Sequence, residues 1–153
     1  MSTFKTLGRL LAPKAKDWFK QASRDLEMAQ LAFEQGYYEW TCFCAQQAGE
    51  KRIKSVLYEL EIGLSKKDFM VHDLISISDY IPAKFIKKIS KFNDSCGLLS
   101  DYVTTTRYPE DFGIDKYPGV LKNKTEAGGA LAAVNEIFAI CNKIVVSIKK
   151  FKP

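Results

Sequence analysis

One stretch of the sequence, GYYEWTCFCAQQAGEKRIKSVLYEL at residues 36–60, constrains the fold more than any other. It is apolar enough to be buried, and its apolar residues recur at steps of three and four, the spacing of one helix face. This stripe comprises Ala45, Ala48, Gly49, Ile53, Val56, Leu57 and Leu60, and Trp40, Phe43 and Cys44 widen it. The pattern predicts a central helix that other helices contact on more than one side.

Polar residues in the middle of this stretch have two interpretations. Gln46, Gln47, Glu50 and Lys51 form either a solvated face or part of a buried polar network or subunit contact. Buried polar groups must be paired, so the second interpretation requires partners elsewhere in the chain. Gly49 predicts a close helix contact, because glycine inside a helix costs about 1 kcal/mol relative to alanine.

The rest of the chain adds three long helical patterns and one short one. The first follows Pro13, and Gly36 is expected to end it in the left-handed conformation. The last begins at a cap formed by Thr125 and Glu126. The stripe of the first helix comprises Trp18, Ala22, Leu26, Ala29 and Phe33. The stripe of the last comprises Ala127, Ala130, Leu131, Val134, Ile137, Phe138, Cys141, Val145 and Ile148.

Between these helices the pattern is less regular. Residues 61–71 are predicted to be a loop, and a short helix capped by Asp73 or the His72 region is expected to close before Pro82. A long helix over about residues 82–105 presents Phe85, Ile89, Phe92, Cys96, Leu99 and Val103. Residues 107–124 form the one long irregular connection, and such loops are usually functional or disordered.

These patterns predict an all-α fold, an antiparallel four-helix up-and-down bundle with an additional short helix. Residues 1–13 are predicted to be an N-terminal arm and residues 14–150 the helical domain. A chain of 153 residues is long enough to bury one core without disulfides or metals. No apolar run approaches the ~20 residues of a membrane-spanning helix, so a cytoplasmic protein without membrane contact is expected.

Composition excludes several kinds of site. The cysteines at 42, 44, 96 and 141 lack the spacing of metal ligands, and no metal or cofactor is expected. The formal net charge of +5 permits an anionic partner. The single histidine, His72, lies at a helix start, where a structural role is favoured, and the common hydrolase and phosphate-loop motifs are absent.

A different cluster, SDYVTTTRYPEDF, combines a guanidinium with aromatic rings where a helix meets the irregular connection. Arginine presents a planar fork suited to phosphate, and an aromatic ring can stack on a base. The candidate binding residues are Asp101, Tyr102, Arg107 and Tyr108. The alternative is an ion pair of Arg107 with Asp101 or Glu110 that only holds the connection in place.

Several pieces of sequence in this order resemble the HEPN domain family over roughly residues 14–150. They are A-x-x-DL-x-x-A, G-x-Y-x-W-x-x-F-x-AQQA-x-EK, HDL and TRYP. The resemblance implies a helical bundle that commonly dimerises, with a polar cleft at the subunit junction. It also implies nucleotide or RNA binding, frequently beside a small MNT-type nucleotidyltransferase in a toxin–antitoxin unit.

Many members of that family are metal-independent ribonucleases in which an arginine is followed four to six positions later by a histidine. The resemblance implies that the histidine serves in proton transfer or in positioning the RNA ribose hydroxyl. It implies that the arginine stabilises the charge on the phosphate in the transition state. In this chain only Arg107 is present, and no histidine follows it. Acid–base work would therefore fall on Glu110, Asp111 or the distant His72.

Three hypotheses remain open from the sequence. The first is a homodimeric nucleotide- or RNA-binding protein without efficient catalysis that works with a nucleotidyltransferase. The second is a ribonuclease with a diverged centre built around Arg107. The third is a structural subunit in which Gln46, Gln47, Glu50 and Lys51 serve packing or assembly.

Overall fold

Helices make up the regular structure of this chain, and no strand occurs in the residues that the computed structural model describes, which are 11–63, 65–86 and 90–151. The all-α prediction is confirmed. The helices are α1 (Pro13–Glu34), α2 (Tyr38–Glu59), α3 (Lys66–Phe69), α4 (Leu74–Ser78), α5 (Ala83–Ile86), α6 (Ser90–Ser100), α7 (Pro118–Leu121) and α8 (Lys124–Phe151). Two 3-10 turns lie at Asp101–Val103 and Pro109–Asp111.

A glycine turn joins α1 to α2 and makes them antiparallel neighbours. Gly36 has a φ of +80°. The N–H of Tyr37 donates to the carbonyl of Ala32 at 2.8 Å, which satisfies a carbonyl left open at the helix end. Far from the turn, Ser55 Oγ donates to the carbonyl of Ala15 at 2.8 Å. The predicted stop at Gly36 is confirmed.

Helix α2 is the centre of the molecule, as its sequence predicts. Fourteen of its 22 residues are buried, and it packs against α1, α4, α6 and α8. Gly49 allows this packing, because a Cβ at that position would lie 2.9 Å from Leu74 Cδ2 and 3.3 Å from Leu99 Cδ1. The close helix contact inferred from Gly49 is confirmed.

Helix α8 runs alongside α2 in the same direction. Arg52 of α2 donates to Asn142, and Glu59 of α2 pairs with Lys149, so later residues of one helix meet later residues of the other. Every member of its predicted apolar stripe is buried. By length and hydropathy residues 124–150 could cross a membrane, but 56% of the most apolar window is buried inside the protein, as in a core helix.

The face of α1 that is buried differs slightly from the predicted one. Phe19 and Ala15, at 4% and 0% exposure, lie in the core, whereas Trp18 is only partly buried. At the other side of the turn, Trp40 is 47% exposed and does not widen the core as predicted. Of the predicted arm, residues 1–10 lie outside the described part of the chain. Leu11 is buried in the core.

The middle of the chain is more broken than its sequence pattern predicts. Residues 61–71 contain the one-turn helix α3, which begins at a capping box between Ser65 and Asp68. The predicted helix over 82–105 ends at Ser100, where the backbone tightens into a 3-10 turn that buries Tyr102 and leaves Val103 only partly buried. Ile89 lies outside the described residues.

The caps of the shorter helices depend on local side chains. Asp73 accepts hydrogen bonds from the N–H groups of Ile75 and Ser76, so the predicted cap of the short helix α4 is confirmed. The predicted cap of the last helix is wrong. There, Asn123 Oδ1 accepts from the N–H of Glu126 at 2.8 Å, and Thr125 lies inside the helix.

Candidate nucleotide-binding surface

Arg107 lies just beyond the 3-10 turn that ends α6, on the protein surface. Its Nε donates to the carbonyl of Val103 at 3.0 Å, one helical turn earlier. Its guanidinium carbon lies 4.7 Å from the centre of the Phe43 ring and 4.9 Å from that of Tyr108. The backbone and two rings therefore fix the orientation of an exposed cation.

No carboxylate pairs with Arg107 among the side chains that the structure describes. The ion pair with Asp101 or Glu110, the alternative drawn from the sequence, does not occur. Because Nε is engaged and the ring contacts involve the guanidinium carbon, its terminal nitrogens are the donors left for a ligand. This is the geometry that suits a bidentate contact with a phosphate.

Exposed aromatic rings extend this surface towards the start of α2. Trp40 packs edge-on against Phe43 with ring centres 5.9 Å apart. Trp40 is 47% and Tyr108 49% exposed. We call Trp40, Phe43 and Tyr108 the aromatic platform. The sequence pattern placed Trp40 and Phe43 in the apolar face of α2. The surface is revealed by the exposure of Trp40 and by the contact of Phe43 with Arg107, more than sixty positions later.

An apolar groove adjoins the aromatic platform and shares Trp40 with it. The groove lies where α1 turns into α2, has a volume of about 330 Å³ and is open to solvent. It is lined by Met28, Leu31, Ala32, Gln35, Tyr37 and Trp40. Most of its large side chains are about half exposed, so no other part of the described chain covers it.

The four residues predicted to bind a ligand are placed differently from one another. Arg107 and Tyr108 lie together on the surface. Tyr102 is 7% exposed, and burial raises the pKa of its hydroxyl. This tyrosine therefore belongs to the core, with Lys122 Nζ 5.1 Å from the centre of its ring. Asp101 is exposed, and its backbone carbonyl accepts from Thr105 Oγ1.

The polar residues of α2 form a buried network. Gln46 is fully buried and Glu50 is 4% exposed. Glu50 accepts from Lys54 Nζ at 2.6 Å and from Gln46 Nε2 at 3.2 Å. Gln46 also donates to the backbone carbonyl of His72 at 2.9 Å. These bonds pair the buried groups, as their desolvation requires.

The same network extends to α1 through the partly exposed residues. Gln47 Nε2 donates to Gln46 Oε1 at 2.7 Å. Lys51 Nζ donates to Gln47 Oε1 at 3.0 Å and forms an ion pair with Asp25. These contacts join α1 to α2, and those of Gln46 reach the segment before α4. The arrangement holds these helices together.

His72 belongs to this network and not to the arginine surface. Its Nδ1 lies 3.2 Å from both carboxylate oxygens of Glu50, and its side chain is half exposed. These contacts fit the structural role expected for a histidine at a helix start. Its partner is the buried carboxylate, and the described contacts give it no link to Arg107.

Other buried charges were missed at the sequence level. Arg52 is fully buried, its guanidinium carbon lies 4.8 Å from the centre of the Phe19 ring, and it donates to Asn142 Oδ1 at 2.9 Å. Burial lowers the pKa of Arg52. Glu59 is 1% exposed and pairs with Lys149 at 3.0 Å. Charged residues rarely lie in a core, so no pattern in the sequence signals them.

The four cysteines lie in the core or pack against it. All four are free thiols. Burial raises the pKa of Cys42 and Cys96 to about 12 and that of Cys44 and Cys141 to about 11. They are therefore thiols, not thiolates, near neutral pH. Among the described residues no group of His, Cys, Asp or Glu side chains could hold a metal ion.

The helical fold agrees with the family comparison. The model of the HEPN domain matches residues 15–144. The chain belongs to the HEPN domain family.

Two solved structures are similar along nearly the whole chain. One is TT1696 from Thermus thermophilus, at 25% identity and a TM-score of 0.77, covering 87% of this chain and 99% of that one. The other is ST0689, an archaeal HEPN homologue, at 27% identity and a TM-score of 0.67, covering 86% and 97%. A comparison with curated protein sequences gave no match.

Proposed function

We propose that this HEPN protein binds a nucleotide or RNA through the phosphate, with Arg107 as the principal contact. The observation that carries this proposal is the exposed guanidinium, oriented by Val103, Phe43 and Tyr108 and lacking a carboxylate partner in the described chain. An arginine held in this way loses little side-chain entropy when it meets a phosphate. The net charge of +5 favours the approach of an anion.

The protein binds without efficient catalysis in this proposal. No histidine follows Arg107, and the contacts of the single histidine, His72, are with Glu50 and Gln46. A positioned acid or base contributes typically 10²–10⁴-fold to a rate, so its absence beside Arg107 removes a large part of nuclease activity.

The direct test is RNA binding by the Arg107→Ala variant, measured by fluorescence anisotropy with a labelled single-stranded oligonucleotide. Charge-assisted hydrogen bonds contribute about 1.5–3 kcal/mol, so we expect binding to weaken about 10- to 150-fold. The thermal midpoint should fall by only about 2–4 °C for each kcal/mol lost, because the two cation–π contacts and the hydrogen bond to Val103 that disappear all lie at the surface.

Lys150→Ala is the matched control. It also removes one exposed positive charge, but at the far end of α8. Its affinity should stay within about twofold of the wild type, because surface charges distant from a site act only through screened fields. Equal affinity of the Arg107→Ala variant and this control would contradict the assignment of the site.

A second candidate function is a ribonuclease with a diverged centre. It is favoured by the 3-10 turn Pro109–Asp111, which follows Tyr108 directly. This turn carries an exposed carboxylate, Glu110, three positions after Arg107. Purified protein incubated with RNA in EDTA separates the two functions. Cleavage that disappears in Arg107→Ala would establish the enzyme, and intact RNA would leave the binding function.

We further propose, on the resemblance to the family, a cytoplasmic homodimer that works with an MNT-type nucleotidyltransferase in a toxin–antitoxin-like unit. Sedimentation at micromolar concentration tests the dimer, and a monomer there would contradict it. Co-purification with the product of a neighbouring nucleotidyltransferase reading frame tests the partner.

A further inference from the structure

We infer that the ligand of this surface is a nucleotide unit whose base is unpaired, with the base stacked on the exposed Trp40 ring over the apolar groove and the phosphate held by Arg107. This inference rests on the proposed function and adds to it that the base is unpaired and stacked. It makes Trp40 a binding residue, a role that neither the sequence pattern nor the family match assigns.

The spacing of the two contacts supports a single nucleotide. The Trp40 ring centre lies 5.9 Å from that of Phe43, and the Arg107 guanidinium carbon lies 4.7 Å from the same Phe43 ring. Trp40 and Arg107 are thus both neighbours of one side chain. The Trp40 ring centre and the guanidinium carbon therefore lie no more than about 11 Å apart, which is within reach of a base and its own or adjacent phosphate. Phe43 acts as the spacer that fixes this separation.

The surroundings of Trp40 suit a flat apolar ring. The groove that Trp40 borders is lined by the apolar parts of Met28, Leu31, Ala32 and Tyr37, and its volume of about 330 Å³ exceeds that of a base. Stacking on an aromatic ring works for every base and contributes about 1–3 kcal/mol by alanine substitution. A groove of this kind beside a cation therefore fits a group that is flat at one end and anionic at the other.

The inference excludes a base inside a duplex. Paired bases are stacked on their neighbours and do not present a face to a protein ring, whereas bases in single strands and loops can be splayed onto aromatic side chains. Two sources supply the required chemistry, a free mononucleotide and a nucleotide within single-stranded RNA. Their shared feature is the unpaired base next to a phosphate.

The chain provides its own spectroscopic test because it contains only two tryptophans. Trp18→Phe leaves Trp40 as the sole tryptophan. Trp40→Phe leaves Trp18, whose ring stacks on that of Tyr58 with centres 6.1 Å apart, outside the platform. Each variant is titrated with a single-stranded RNA octamer, a blunt RNA duplex of the same composition, and adenosine monophosphate. Tryptophan fluorescence is recorded throughout, and circular dichroism checks that both variants are folded.

We expect the octamer to quench the fluorescence of Trp18→Phe and to leave that of Trp40→Phe unchanged, because a base stacked on an indole quenches its emission. The duplex should quench neither. Quenching by the monophosphate as well would identify a mononucleotide as sufficient, and quenching by the octamer alone would identify single-stranded RNA. In addition, Trp40→Leu, which keeps the groove apolar but removes the aromatic face, should weaken octamer binding about 5- to 150-fold by anisotropy.

The failures of the two proposals are distinguishable. RNA binding that depends on Arg107 but produces no Trp40 quenching, or that is unaffected by Trp40→Leu, would overturn the stacked base and leave the proposed function standing. Equal binding of duplex and single strand would do the same. If the wild type binds none of the three ligands, both proposals are wrong.

Discussion

Two arginines in this chain have opposite environments. Arg52 is buried, with its guanidinium near the Phe19 ring and bonded to Asn142. Arg107 contacts aromatic rings as well, but at the surface and without an acceptor side chain among the described residues. The first contributes to packing, and the second is available to a ligand. The sequence alone does not show which of the two arginines is buried.

The substitution Glu50→Ala tests whether the buried network stabilises the fold. Removing the Glu50 carboxylate breaks the buried ion pair with Lys54, which is 2% exposed, and takes an acceptor from the buried Gln46. Breaking a buried pair typically costs about 3–5 kcal/mol, so Glu50→Ala should lower the free energy of unfolding in urea by about that amount. Glu27→Ala, which removes an exposed carboxylate of α1, should change it by less than about 0.5 kcal/mol.

The paired replacement Glu50→Leu with Lys54→Met gives the internal check. Substituting both members of the pair by apolar side chains removes the two buried charges together, so this variant should be more stable than Glu50→Ala. If Glu50→Ala unfolds at the same urea concentration as the wild type, the pair is not buried in solution as it is in the structure.

At the scale of helices, Gly49 shows how closely α2 is packed. A methyl group there would approach Leu74, Leu99 and Ile137 at 2.9, 3.3 and 3.5 Å. Overpacking a core costs about 1–3 kcal/mol, which exceeds the helix propensity of about 1 kcal/mol that alanine adds. Gly49→Ala should therefore lower the free energy of unfolding by about 1 kcal/mol in urea titrations.

Gly129 in α8 is the matched glycine. A Cβ there would have no heavy atom within 4 Å outside its own helix and adjacent residues. Gly129→Ala should raise the free energy of unfolding by up to about 1 kcal/mol, since only the propensity changes. The same sign for both substitutions would show that helix propensity, not packing, governs Gly49.

The elements that the sequence predicted well are those with strong local signals. The 3.6-residue period of α2 and α8 and the glycine after α1 specify structure without tertiary help. The end of α6 and the cap of α8 were predicted wrongly, because the local sequence allows more than one structure at each place. The 3-10 turn that buries Tyr102 and the choice of Asn123 over Thr125 as a cap depend on how the chain packs there.

At the scale of the whole molecule, the candidate site is assembled from three separate parts of the chain. Helix α1 and the turn after it supply the groove, the start of α2 supplies Trp40 and Phe43, and the segment after α6 supplies Arg107 and Tyr108. The sequence identified the arginine from its local setting. It could not identify Trp40, because the surface appears only when these parts meet.

The salt dependence of RNA binding tests most directly the claim that Arg107 contacts a phosphate. The logarithm of the binding constant falls linearly with the logarithm of salt concentration, with a slope of about −0.7 for each phosphate contact to a single strand. The affinity for a single-stranded octamer would be measured from about 50 to 200 mM salt. The Arg107→Ala slope should be shallower than the wild-type slope by about 0.7, and the Lys150→Ala slope should equal the wild-type slope. Parallel lines for wild type and Arg107→Ala would contradict the account.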